Sequence, residues 1–189
     1  PFFRKHYPDA VPLMPTLEED YERNPTSSLV TIRCAPWHWQ DKVVILGDAA
    51  HAIVPFYGQG MNAAFEDCVA LTALLEAHHD DRARAFAAFS DVRKPNADAI
   101  ADLAIANFVE MRDKVGSKTF LFRKRIEKRL HAWFPGWYLP LYNMISFSTI
   151  PYAKARERAR RQDRIVLLGL IGVVVLLLFA LVTLAVVLF

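Results

Sequence analysis

Apolar and polar positions divide this chain into stretches of different character. From Ile165 to Phe189 no charge appears, and Thr183 is the one polar side chain. As a helix, twenty-five residues would be roughly 37 Å long at ~1.5 Å each, more than the ~30 Å of a bilayer core. The run therefore predicts a transmembrane helix over 165–189. Upstream, Ser28–Cys34 alternates with β-branched residues and predicts a strand. Lys42-Val43-Val44-Ile45-Leu46 is a short apolar run and predicts a buried strand over 43–46. Helical patterning follows over about 62–78, 81–93, 96–114 and 120–130. Pro95 is expected to separate the second from the third, because it cannot continue a helix and disfavours helical geometry in Lys94. Residues 1–25 carry Pro8, Pro12, Pro15 and Pro25 and predict loops around a short acidic helix near Leu17–Glu22. Residues 131–150 are aromatic and apolar, with Trp133, Phe134, Trp137, Tyr138, Tyr142 and Phe147. They read equally as a cap over the core and as a cap that also touches a membrane interface.

Charge sharpens the division. Residues 1–120 carry 12 Lys and Arg against 17 Asp and Glu, while residues 121–164 carry 11 against 3, a net of +8. The basic run 154–164 stops where the apolar span starts. That placement favours a juxtamembrane anchor on the cytosolic leaflet, attracting anionic lipid, over a nucleic-acid surface. No nucleic-acid partner is expected. The six histidines form no ligand spacing, so no metal is expected either. Cys34 and Cys68 have no metal or redox spacing and are expected to be buried reduced thiols.

The chemically distinctive segment follows the 43–46 run. Gly47-Asp48-Ala49-Ala50-His51 is followed by Pro55-Phe56-Tyr57-Gly58-Gln59-Gly60-Met61-Asn62, with Asn62 as the expected N-cap of the next helix. An acid at a strand's end, then a glycine-spaced turn feeding a helix N-terminus, suits a polyhydroxylated anionic cofactor. Asp48 can accept from sugar or ribityl hydroxyls. The helix N-terminus offers free N–H groups, and glycine lets the backbone come close. Glu66 and Asp67 are adjacent and diverge by ~100° on a helix, so they are expected to cap or to make structural pairs rather than form a dyad. His51 is expected to be structural. No nucleophile–His–acid constellation is present.

The string His51-Ala-Ile-Val-Pro-Phe-Tyr-Gly-Gln-Gly-Met-Asn-Ala-Ala-Phe-Glu-Asp-Cys68, after Gly47-Asp48, resembles the second flavin motif of the FAD-dependent aromatic hydroxylases. With Asn24-Pro-Thr-Ser-Ser-Leu-Val-Thr-Ile-Arg-Cys34 before it and Lys94–Val115 after it, the likeness narrows to the kynurenine-hydroxylating members and covers most of residues 1–150. The resemblance implies an α/β fold, the C-terminal part of a Rossmann-like flavoprotein with strands plus a helical cap. It implies FAD as cofactor, NADPH as co-substrate, and hydroxylation of L-kynurenine to 3-hydroxykynurenine with O2. Cofactor-binding positions would be Asp48, Gly58, Gln59, Gly60, Met61 and Asn62. Asn107 and Tyr142 match the family's contacts to the amino-acid head of the substrate, and Pro55 and Phe56 would line the substrate-facing side of the flavin. Without the resemblance, Asp48 could be a turn or cap residue, Asn107 a solvated polar residue, and Tyr142 a core residue. Pro55 and Phe56 could be plain turn packing.

The family binds the ADP half of FAD with a Gly-rich strand–turn–helix, and the seven glycines of this chain cannot assemble a G-x-G-x-x-G. The chain is therefore expected to be the C-terminal part of a longer enzyme and inactive alone. The expected division is 1–120 as the flavin- and substrate-binding part, 121–164 as a basic aromatic cap and juxtamembrane segment, and 165–189 as the span. The expected location is a membrane, with a single-pass C-terminal anchor and the catalytic part cytosolic. Two rivals remain open: a flavin monooxygenase of the same class acting on another aromatic or isoprenoid substrate, and a non-catalytic membrane-tethered module.

Overall fold

The computed structural model describes residues 1–79 and 81–188, with side chains up to Thr183. Phe189, the last residue of the expected span, lies outside the described residues. The described residues are predominantly helical. Two short helices, α1 (Phe2–His6) and α2 (Leu17–Arg23), precede a minimal antiparallel hairpin of β1 (His38–Trp39) and β2 (Val43–Val44). The one-turn α3 (Asp48–His51) and a 3-10 turn (Pro55–Tyr57) lead into α4 (Gly60–His78) and α5 (Arg82–Val109). A π-helical turn (Glu110–Lys114), α6 (Lys118–Trp133), α7 (Leu141–Ser146) and the long α8 (Tyr152–Leu188) complete the order.

The pair α4–α5 is the scaffold. Asp81 caps α5 by accepting from the Arg84 N–H at 3.0 Å, which satisfies one of the free donors of its first turn. Small buried residues, Ala63 on α4 with Ala97, Ala99, Ala101 and Ala104 on α5, provide close packing surfaces. Two cores result. Ile100, Leu103, Met144, Ile145, Tyr152 and Ala155 join α5, α7 and the start of α8, while Trp37, Ala50, Phe89 and Ala97 join the hairpin and α3 to the middle of α5.

Several sequence expectations are corrected here. Ser28–Cys34 is not a strand. Among the described residues its one backbone tie outward is Ile32 N–H to Ala52 O at 2.9 Å, and Leu29 and Val30 are exposed. Alternation makes a strand only where a partner completes the ladder, and among the described residues none does. The 43–46 strand shrinks to Val43–Val44, with Val43 exposed. Pro95 does not end a helix: α5 runs through it for 28 residues. The lost N–H is local, whereas Arg93, Asn96, Ala97 and Ile100 are buried on both sides of it and hold the two halves in line. Asn96 supports the join by accepting from Ala153 N–H of α8 at 3.1 Å. Helix α4 starts at Gly60, two residues before the expected N-cap, because Gly58 in the left-handed region closes the preceding turn. Asn62 thus lies inside the first turn and donates to Gln59 Oε1 at 2.9 Å. Cys68 is exposed and Cys34 half-buried; both are free. The acidic α2 and the basic α6 stand where expected, α6 running longer at both ends.

Among the described residues, α8 is the one helix long and apolar enough to cross a membrane, and none of its most apolar stretch is buried in the fold.

Candidate functional site

The Gly47–Asp48 corner is held from beneath by buried charge. Gly47 has φ +57°, which favours glycine, and a Cβ there would also sit a tight 3.3 Å from Ala64 Cβ. Its N–H donates to Asp67 Oδ2 at 2.9 Å. Asp67 is fully buried and also receives His51 Nε2 at 2.5 Å and Arg93 Nε at 2.7 Å. Arg93 reaches on to Glu66 at 2.9 Å and to the Ala63 carbonyl at 3.1 Å. Burial alone would push the Asp67 carboxyl up. The donors from His51, Arg93 and Gly47, with the charge of His51, outweigh it and hold the group below the usual aspartate range. The pairs of Glu66 and Asp67 and the structural placement of His51 agree with the sequence expectation. Arg93, their common partner, gave no local signal, since it lies 26 residues from Asp67.

Above this network Asp48 is exposed as the first residue of α3. It lines an open groove of about 500 Å³ together with Pro55, Gly58, Gly60 and Met61. Gly58 has φ +65° with no atom within 4 Å of where a Cβ would stand, so the turn leaves room for a close ligand. The N–H groups of the first turn of α4 open nearby, a favourable end for negative charge or electron-rich atoms. Gln59 and Asn62 are brought together but turn toward each other. Gln59 is buried and is 3.5 Å from the Tyr152 hydroxyl, so neither side chain lines the groove.

The Pro55–Tyr57 turn separates this groove from a second cavity of about 380 Å³. Tyr57, Asn107, Glu110 and Tyr142 line it, and Phe120, Arg123, Lys124 and Glu127 of α6 close one side. Asn107 and Tyr142 are thus brought into one cavity, although far apart in the chain. Asn107 Nδ2 donates to the Phe56 carbonyl at 2.6 Å and so pins the turn to α5, leaving its Oδ1 to accept from a ligand. Phe56 packs on Phe108 with ring centroids 4.4 Å apart, whereas Pro55 faces the Asp48 groove, so these two residues serve different sides. Tyr57 stacks with Tyr142 at 6.1 Å. Burial, with Glu110 and Tyr142 nearby, pushes the Tyr57 phenol up to about 12, so it remains a proton donor at neutral pH. The sequence reading missed Glu110. Its position three residues after Asn107 puts it on the same helix face. The four α6 residues carried no such signal.

The sequence that builds this site has counterparts among known proteins. The family model described as FAD binding domain matches residues 16–104, the segment that contains the Asp48 corner, the glycine turn and the Asp67–Arg93 network. Kynurenine 3-monooxygenase of Salinispora arenicola is 51% identical over 164 residues, which are 87% of this chain and 36% of that protein. Kynurenine 3-monooxygenase of Dictyostelium discoideum is 50% identical over 168 residues, 82% of this chain and 36% of that protein. That of Flavobacterium johnsoniae is 49% identical over 154 residues, 82% and 34% respectively. The resemblance read from the motif is therefore real and extends over most of the chain. The chain spans about a third of the length of the curated relatives it matches.

Proposed function

We propose that this chain supplies the flavin-facing turn, the substrate-covering helices and the membrane anchor of an FAD-dependent monooxygenase that hydroxylates L-kynurenine to 3-hydroxykynurenine with NADPH and O2. The observation that carries it is the Pro55–Tyr57 turn, with a carboxylate and a helix N-terminus on one side and a polar-headed aromatic cavity on the other. The groove suits FAD: Asp48 can accept from ribityl hydroxyls, and Gly58, Gly60, Met61 and Asn62 offer backbone rather than bulk. Gln59 supports the turn through its buried side chain. When bound, the flavin supplies the oxygen-transfer chemistry. The chain's own residues bind, orient and exclude water. Asn107 Oδ1 and the Tyr142 hydroxyl hold the substrate's ammonium and carboxylate, and Pro55 and Phe56 shape the wall between ring and cofactor. In this reading residues 1–120 are the C-terminal part of an α/β, Rossmann-like flavin and substrate domain, residues 121–164 the cap, and residues 165–189 a single span with the body on the cytosolic side.

The test is a chimera in which the Salinispora arenicola relative supplies the parts this chain does not match. It should bind FAD and consume NADPH with L-kynurenine, whereas this chain alone should not. Asp48→Ala should weaken FAD about ten- to hundredfold, the loss of one charge-assisted hydrogen bond of ~1.5–3 kcal/mol. Unchanged FAD affinity in a folded variant would remove Asp48 from the site.

Asn107→Ala and Tyr142→Phe in the same chimera should raise the KM for L-kynurenine by a similar factor with FAD affinity nearly intact. Equal kinetics in both variants would exclude the substrate assignment and favour a different aromatic substrate.

A further inference from the structure

We propose that α6 is an interfacial helix whose outer face lies on anionic lipid beside the membrane span, while its inner face closes the Asn107–Tyr142 cavity. The inference rests on the reading of residues 165–189 as a span. On a helical wheel the inner side of α6 carries Phe120, Arg123, Lys124 and Glu127, the residues that line the cavity. The opposite side carries Leu121, Phe122, Arg125, Arg129 and Trp133, all exposed, with Lys128 at its edge. No acid stands on that side: Glu127 is the only carboxylate of α6 and points inward. Among the described residues, Arg125, Lys128 and Arg129 have no carboxylate within 4 Å. Phe134 and Trp137, just beyond the helix end, are exposed as well.

Placement decides the occupant. Arg123 bonds Asp163 at 2.9 Å, and Gln162 donates to the Trp137 carbonyl at 2.8 Å. These contacts, one of them an exposed ion pair, bring α6 and the segment after it to α8 within three residues of the uncharged stretch that begins at Ile165. A helix tied there stands at the level of the headgroups once α8 inserts. Basic residues interleaved with Trp, Phe and Leu on one face suit that level, where the rings enter the acyl boundary and the cations meet anionic headgroups. A solvated basic face would not need Phe122 and Trp133 exposed between its charges.

The test uses the full chain reconstituted in bilayers whose acyl chains carry bromine close to the headgroups, with and without phosphatidylserine. Emission from Trp133 and Trp137 is taken as the difference from the Trp133→Phe/Trp137→Phe variant. Phosphatidylserine should increase the quenching of these two residues, and R125Q/K128Q/R129Q should abolish the increase. Each basic residue near an anionic leaflet favours the docked state about fivefold, so the three together account for about a hundredfold. Retention of the chain in alkaline carbonate without any response to phosphatidylserine would overturn this proposal alone. Extraction by carbonate would overturn the span and this proposal with it. Binding of polyuridylate by the detergent-solubilised chain, lost in the triple variant and unaccompanied by a lipid response, would assign the face to RNA instead.

Discussion

Asp67→Ala should destabilise the folded chain by about 3–5 kcal/mol, the usual cost of removing one partner from a buried ion pair. The side chain is fully buried and takes three donors: the Gly47 N–H, His51 Nε2 and Arg93 Nε. Alanine would leave Arg93, itself only 6% exposed, with the half-exposed Glu66 as its remaining carboxylate. His51 Nδ1 already has no partner, so the ring would lose its one polar contact. The Gly47 corner, with its positive φ, would lose the acceptor that fixes it. Urea unfolding of the chain in detergent, followed by circular dichroism, measures the change; a loss under about 1 kcal/mol would contradict it. The same network predicts the response to acid. The folded Asp67 pKa lies below the unfolded value of about 3.9, so its contribution is complete above that value and disappears as pH falls through the folded pKa. Acid destabilisation below about pH 4 should therefore be shallower in Asp67→Asn, which has no carboxylate there to protonate.

Deleting residues 165–189 should move the protein from the membrane pellet to the soluble fraction, while the full chain should resist extraction by high salt and alkaline carbonate. Leu, Ile, Val and Phe each favour insertion by about 0.3–0.6 kcal/mol near the helix centre, and no Lys, Arg, Asp or Glu opposes them in this stretch. Placing two lysines at its middle, Val174→Lys with Leu177→Lys, should cost about 5–7 kcal/mol together and weaken insertion without touching the folded body. The truncated protein should keep weak, salt-sensitive affinity for anionic vesicles through residues 154–164, because the Debye length falls from about 8 Å at physiological salt to about 3 Å at 1 M. A full chain that washes off membranes would reject the span. A protease that cleaves residues 1–164 from outside sealed cells would reject the cytosolic side.

Much of the candidate site was legible from residue order alone, for a physical reason. The Asp48 corner, the Gly58 turn and the start of α4 lie within about fifteen consecutive residues, so their order and their glycine positions are legible locally, although the helix starts two residues earlier than the pattern predicts and the corner itself is held by Asp67 from α4. The apolar stretch from Ile165 onward is legible in the same way, since composition along a single helix determines whether it suits a bilayer. The acidic α2 and basic α6 follow from local pattern too.

Tertiary structure decided the features that depend on distant partners. Ser28–Cys34 has a strand's alternation, but a strand exists only where another completes its ladder. Pro95 carries a local breaking signal, but packing of Arg93, Asn96 and Ile100 on both flanks holds α5 in one piece. Asp67 was expected to cap or to pair, but only the fold shows it buried, with Arg93 as its partner and Gly47 resting on it. Asn107 and Tyr142 were singled out by likeness to a motif. Their meeting in one cavity, with α6 as its wall and the Pro55–Tyr57 turn as its divide, follows from how α5, α6, α7 and α8 pack. Short-range geometry is encoded residue by residue, whereas burial and pairing are properties of the assembled chain.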